Sequence, residues 1–163
     1  MHKPARYDFV VPPSSVERLS SLLRDAIALD RACKGNIQVF DPMNKTLKFV
    51  VQEGFDAHFL SHFNVVRLAD GTPCARACGR QEPLFIPDVL ADDELKRHAE
   101  VFLRGGFRSV KSVPTIGSDK CVYGILSTHS TEVRWDWELE NTRHIAEEVA
   151  AVLVSAPELW RPE

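Results

Sequence analysis

The hydrophobic period of this chain changes twice, and those changes limit the folds open to it. Near the N-terminus Val16, Leu19, Leu23 and Ala26 recur at helical spacing, with Leu22, Ile27 and Leu29 widening the stripe. Ser14-Ser15-Val16-Glu17 fits a capping box and Lys34-Gly35 supplies a stop, so a helix is predicted over about 14 to 33. From Asn36 the pattern alternates. Asn36-Ile37-Gln38-Val39-Phe40 and Thr46-Leu47-Lys48-Phe49-Val50-Val51 flank the turn Asp41-Pro42-Met43-Asn44, which reads as a β-hairpin. Helical period returns at the other end, where Leu139, Ile145, Ala146, Val149, Val152 and Leu153 predict an amphipathic helix from about Trp135 to Ala156.

The middle is built of shorter pieces. Phe55, Phe59 and Phe63 recur every four residues, which predicts a short helix from Asp56 to Phe63. Gly71-Thr72-Pro73 opens another, with proline suited to a first turn. Pro83-Leu84-Phe85-Ile86-Pro87 is a strand whose bounding prolines confine it to a sheet edge. Leu95, His98, Ala99 and Phe102 mark a helix from Ala91 to Arg104, ended by Gly105-Gly106. Strands over Phe107 to Val113 and Cys121 to His129 follow, joined through Gly117-Ser118-Asp119-Lys120. Five strands between two long helices make an α+β sandwich. One domain is expected over 14–156, with an irregular leader (1–13) and a C-terminal tail (157–163).

Composition excludes several classes. With 163 residues, 44% hydrophobic and 26% charged, the chain can bury a core without staples and is neither disordered nor a disulfide miniprotein. A net charge of −3 gives no general footprint for nucleic acid. No apolar run approaches the roughly 20 residues of a membrane helix. The basic start Met1-His2-Lys3 has no apolar stretch behind it, so no secretory signal is read and a cytoplasmic protein is expected. Cys33, Cys74, Cys78 and Cys121 are then expected as free thiols. Cys33 and Cys121 fall on core-facing stripes and take no functional role.

Three linked segments resemble a GAF domain of the bacterial two-component signalling type: "NIQVFDP", "PLFIPDV" and "SVPTIGSDKCVYGILSTH". The resemblance covers roughly residues 15 to 155. It implies a GAF/PAS-like antiparallel sheet of five or six strands. Its N- and C-terminal helices would pack on one face and often dimerise, and its helical crossovers would cover a pocket on the other. It also implies a sensory domain that binds a small molecule and signals to an output kinase or other effector. The cyclic-nucleotide subset carries an Asn-Lys…Phe…Asp-Glu signature. Here Asn44-Lys45 sits in the hairpin turn and no Phe stands four residues before Asp93-Glu94, so a cyclic nucleotide is not supported. Cys74 and Cys78 have no adjacent His, which disfavours an attached bilin.

Within that frame some side chains are candidates for chemistry. Cys74 follows Pro73 at a helix start, where backbone amides and Arg76 would lower a thiol's pKa, so a redox-sensing or ligand-contacting thiol is one reading and a small buried residue the plainer one. His98 either hydrogen-bonds within the core or offers a donor to a ligand. On the strands, Ser109 and Lys111 alternate with Val110 and Ser112, and Tyr123, Ser127 and His129 alternate with Gly124, Leu126 and Thr128. One face of each therefore mixes apolar, hydroxyl and basic groups, as a ligand cleft or a partly wet sheet would. The expected ligand-lining set is Phe59, Cys74, His98, Phe102, Ser109, Lys111, Tyr123, Ser127 and His129. His58 and His62, with Cys74 and Cys78, have the residue types of a zinc site, but the plainer reading leaves the imidazoles on the wet side of a helix. No cofactor is named.

The function expected is a small-molecule- or redox-sensing regulatory domain without catalysis. Its alternative is a thiol-dependent reductase of the free methionine sulfoxide type, with Cys74 and Cys78 as attacking and resolving thiols. Leu22, Leu29 and Leu153 add apolar surface beyond what one sheet needs, which predicts a homodimer through the terminal helices.

Overall fold

The alternating stretches become a six-stranded antiparallel sheet in the computed structural model, which describes residues 12–156. Its strands are β1 (Lys34–Asp41), β2 (Thr46–Glu53), β3 (Val66–Arg67), β4 (Leu84–Ile86), β5 (Ser109–Ile116) and β6 (Val122–Ser130), in the spatial order β3-β2-β1-β6-β5-β4. The proline-bounded β4 is an edge strand, as expected, and β3 is a two-residue edge on the other side. Most of residues 1–13 and all of the tail lie outside the described residues.

Helices cover both faces. α1 (Pro13–Leu29) and α5 (Arg143–Val154) lie on one, burying Leu19, Leu22, Leu23, Ala146, Val149 and Leu153 against Ile37, Val39, Val113 and Leu126 of the sheet. On the other face α2 (Ala57–His62), α3 (Pro73–Arg80), a 3₁₀ segment Asp93–His98 and α4 (Ala99–Gly105) form a roof. Phe59, Phe63, Phe102 and Phe107 pack beneath that roof with Val110 and Ile125. Each fully buried Leu or Phe stabilises the fold by about 1.5–3 kcal/mol, so two separate cores hold one sheet. Among the described residues no helix is long and apolar enough to cross a membrane.

Two glycines let the layers close. A Cβ on Gly35 would lie 2.9 Å from both Leu23 Cδ1 of α1 and the Ser127 carbonyl oxygen of β6. A Cβ on Gly124 would collide with the Gln38 carbonyl and sit 3.0 Å from Leu153 Cδ1 of α5. Strands and helices approach there as only glycine permits.

The helix ends depart from expectation. α1 starts on Pro13 at its first turn with no side-chain cap, in place of the Ser-Glu capping box. It also stops four residues early. Asp30 is buried and ties into the sheet, and Arg31 takes a left-handed φ of 52°, so the helix cannot continue to Cys33. Cys33, beyond that helix, and Cys121, in the turn before β6, are exposed rather than core-facing. The last helix begins at Arg143, not Trp135. Residues 131–142 run as an irregular strap instead, pinned by Lys111 Nζ donating to the Glu138 carbonyl and Asn141 Oδ1 (2.9 and 2.8 Å) and by Arg134 stacked 4.0 Å over the buried Trp137. Of the three leucines behind the dimer expectation, Leu22 and Leu153 are buried within the subunit and only Leu29 is exposed.

Candidate functional site

The sheet face beneath the roof carries a polar belt. Asn36, Ser127 and Ser112 stand in register across β1, β6 and β5, with the two serine hydroxyls 2.8 Å apart. Gln38 lies two residues along β1 and His129 two along β6, on that same face. All five side chains are buried. Above the belt, Thr72 accepts the Ala75 amide to cap α3, which sets Pro73 and Cys74 facing the sheet. The aromatic wall follows from the four-residue spacing read in the sequence. Phe59 stacks on Phe55 (centroids 4.2 Å, 13°), and Phe63 faces Phe102 of α4 nearly parallel (6.0 Å, 14°).

A cavity of about 40 Å³ remains between belt and roof, room for one or two waters. No Asp, Glu, Lys or Arg lines it among the described residues. Asn36 Oδ1, Gln38 Oε1 and both ring nitrogens of His129 have no hydrogen-bond partner there. Each such orphan costs about 1–3 kcal/mol. Burial, helped by the Lys34 ammonium, pushes the His129 pKa down to about 3, so its imidazole is neutral near pH 7.

Five of the residues expected to line a site do line this cavity: Phe59, Cys74, Phe102, Ser127 and His129. The other four are elsewhere. Lys111 pairs with Thr128, not Ser127, so antiparallel register turns it and Ser109 to the helix side. There Lys111 Nζ donates to Asp30 Oδ1 at 2.6 Å, and Ser109 donates to the Glu132 carbonyl. Tyr123 falls at a bulge: Thr115 pairs with Gly124 and Ile116 with Val122, and Tyr123 is turned toward Asp119, 2.5 Å from its hydroxyl. His98 sits outside, behind Phe63, with its Nδ1 2.9 Å from His62 Nε2. Burial first, then Arg97 and His62, lower its pKa. Asn36, Gln38, Ser112, Phe63 and Phe107 line the cavity without having been expected there. The signal was present, since Asn36 and Gln38 alternate with Ile37 and Val39, but polar alternation reads as a wet face until a roof covers it.

Of the two readings of Cys74, the thiol with a lowered pKa is the one its surroundings disfavour. Burial raises the Cys74 pKa despite its place at the start of α3, and burial together with Cys74 lifts Cys78 to about 12. Arg76 does not help, because its guanidinium is spent on Asp92 (2.6 and 3.1 Å), Glu94 (2.8 Å) and the Gly71 carbonyl. Nor do His58, His62, Cys74 and Cys78 gather. His62 turns to His98, and among the described residues no cluster of three or more His, Cys, Asp or Glu could hold a metal ion. On the opposite face a larger open groove of about 820 Å³ runs between α5 and β5, lined by charged and apolar side chains together.

Comparison with known proteins agrees with this architecture. A family model for the GAF domain matches residues 16–156. Among solved structures, a domain of a protein described as a two-component sensor histidine kinase from Sinorhizobium meliloti 1021 superposes with a TM-score of 0.68 at 16% identity, covering 90% of this chain and 94% of that one. A GAF domain/HD domain protein from Geobacter sulfurreducens gives 0.67 at 18%, covering 96% and 95%. The type II free methionine-R-sulfoxide reductase from Thermoplasma acidophilum gives 0.67 at 14%, covering 88% and 94%. No curated protein matches the sequence. At these identities the structural likeness speaks to fold alone, and with the family match it leads to one conclusion: this chain belongs to the GAF domain family.

Proposed function

We propose that this chain is a small-molecule-sensing regulatory domain of the cytoplasm, without catalysis of its own, whose guest sits between the polar belt and the roof. The supporting observation is that Asn36, Gln38 and His129, which are among the residues lining the cavity, keep buried polar atoms without hydrogen-bond partners. Side chains serving packing alone would be more stable there as apolar residues. A cavity of about 40 Å³ is too small for most metabolites, so guest binding requires α2, α3 or α4 to move outward. A guest that prefers the opened roof shifts the population toward it, and one with equal affinity for both transmits nothing. The response would pass through the sheet to α1 and α5 and on to an output kinase or other effector.

Redox input has less support than a small molecule, because a buried thiol with a raised pKa is a poor nucleophile. The reductase alternative meets the same objection at both Cys74 and Cys78. Free methionine sulfoxide also carries an ammonium and a carboxylate, and this cavity offers neither a counter-charge. A homodimer through the terminal helices rests now on Leu29, which is 51% exposed.

Native mass spectrometry of protein purified from its source tests the proposal. The expected result is a retained small molecule that departs on denaturation and is missing from Ser127→Leu, whose added carbons fill the cavity. Protein that carries no guest, and takes none from an extract of that source, overturns it.

A further inference from the structure

Resting on that sensory reading, we propose that α2 is the lid that admits the guest, and that the hydrogen bond between His62 and His98 is its latch, closed in neutral solution and released by acid. The roof is not fastened evenly. α3 packs directly on β4, β5 and β6, and its Arg76 grips Asp92 with two hydrogen bonds (2.6 and 3.1 Å) and Glu94 with an ion pair (2.8 Å). The 3₁₀ segment that follows is tied back by Arg97, whose Nη2 donates to the Asp70 carbonyl at 2.6 Å, and it runs straight into α4. Those pieces act as one block. α2 is attached differently. Asp56 caps it from within its own segment, and its backbone lies mainly against α4. Among the described residues the 2.9 Å contact of His62 Nε2 with His98 Nδ1 is the one side-chain hydrogen bond that joins α2 to the rest of the roof. The remaining grip is apolar, through Phe59 on Phe107 (5.4 Å between centroids) and Phe63 on Phe102.

The permanent cation beside the pair fixes which ring donates. The Arg97 guanidinium stays protonated, and its Nε donates to His98 Nε2 at 3.2 Å. His98 therefore carries its own hydrogen on Nδ1 and donates it to His62 Nε2. A metal bridging the rings would need a lone pair on both facing nitrogens, which drives the His98 hydrogen onto Nε2 and against Arg97. A proton arriving on His98 Nε2 removes the acceptor of Arg97, and one arriving on His62 Nε2 removes the acceptor of the latch. The closed lid thus binds fewer protons than the open one. Its advantage is complete above the ordinary imidazole pKa of about 6.5 and fades as pH falls below it. Burial first, then Arg97 and His62, hold the His98 pKa down in the same sense, against the pull of Asp70. Asp93 and Lys96 pair with each other at 2.8 Å. His58, one turn back on α2, and Glu100, at the start of α4, are exposed and do not enter that balance. Opening also parts Phe59 and Phe63 from Phe107 and Phe102, so the open form stays minor until a guest fills the space they leave.

The test is hydrogen–deuterium exchange of the full chain at about pH 8 and about pH 5, either side of the ordinary imidazole range, with each rate corrected for intrinsic exchange. The amides of Leu60 and Phe63, which bond to the Asp56 and Phe59 carbonyls, report on α2, and those of α3 are the reference. His62→Ala should raise α2 exchange roughly three- to tenfold at the higher pH, the loss of one hydrogen bond, and leave α3 unchanged. The parent protein should approach that variant at the lower pH. His62→Gln puts an amide oxygen where Nε2 stood, an acceptor that does not titrate. It should match the parent at the higher pH and keep its protection at the lower one. His62 is exposed, so neither substitution opens the core. The latch is overturned by α2 exchange no faster in His62→Ala than in the parent, by acid loosening in His62→Gln equal to the parent's, or by α2 and α3 loosening together. None of those results involves a guest, so the sensory reading stands or falls separately, on the guest retained in native mass spectrometry.

Discussion

The two faces of the central sheet bury polar groups to the same depth, but the charged cluster on one is fully paired while the carboxamides and imidazole on the other are not. On the helix side Lys111 and Asp30, each 1% exposed, form an ion pair at 2.6 Å. Thr128 donates to the other Asp30 oxygen at 2.7 Å, and the Glu138 carbonyl and Asn141 complete the shell of the ammonium. On the roof side Asn36, Gln38 and His129 are just as enclosed, yet four of their polar atoms bond to nothing among the described residues. The first arrangement fastens α1, the sheet and the strap before α5 together. The second has unmet hydrogen-bonding capacity beside a void. Thr115 Oγ1, Trp137 Nε1 and Thr142 Oγ1 are unpartnered away from the cavity, so what distinguishes the roof side is that its orphaned groups gather on residues lining one cavity.

The comparison can be broken most forcefully at Lys111. Lys111→Met leaves Asp30 buried without its cation and should destabilise the domain by about 3–5 kcal/mol in denaturant unfolding, with much of the loss recovered in Lys111→Met/Asp30→Leu. A loss below about 1 kcal/mol would mean that the network is not the fastener described here. Acid sharpens the contrast from the other side. Because the folded pKa of His129 lies near 3, below its ordinary 6.5, the unfolded chain binds the extra proton first. Stability from this group is fully present above pH 6.5 and falls by about 1.4 kcal/mol per pH unit below it until pH 3. His98 shifts in the same direction, so the part of the slope that vanishes in His129→Leu is the measure.

Smaller effects discriminate more finely. Thr72→Ala removes the cap that sets Pro73 and Cys74 over the cavity and should cost about 1 kcal/mol, with a loss of guest binding larger than that of stability. Gln38→Leu, which deletes an orphaned oxygen, should leave stability within about 1 kcal/mol of the parent and on the stabilising side. A loss of several kcal/mol there would show that Gln38 is paired in solution, and the contrast between faces would fail.

Some of this was legible from sequence. The aromatic roof was, because Phe55, Phe59 and Phe63 recur at helical spacing. The edge position of Leu84–Ile86 was legible from its two prolines, and the close approach at Gly124 from a glycine inside a strand. Ser127 and His129 were placed correctly within β6. Lys111 and Ser109 were not, since period two says which residues of a strand share a face and never which face that is. The pairing of Lys111 with Thr128 decides it, and that pairing depends on the turn and the bulge at Tyr123. The lowered pKa offered as one reading of the Cys74 thiol fails for a related reason. A helix start lowers a thiol's pKa only where charge is tolerated, and here burial outweighs it.

By itself, the sequence determined the order of elements, the two apolar helix stripes at the ends and the alternating strands between them, because these follow from local period and turn chemistry. Tertiary structure alone decided where α1 stops, which face of β5 meets the roof, and that Asn36 and Gln38 lie buried beneath that roof instead of facing water. These outcomes depend on what packs against each residue from distant parts of the chain, and a buried polar group reveals its purpose only through the partners it has or lacks.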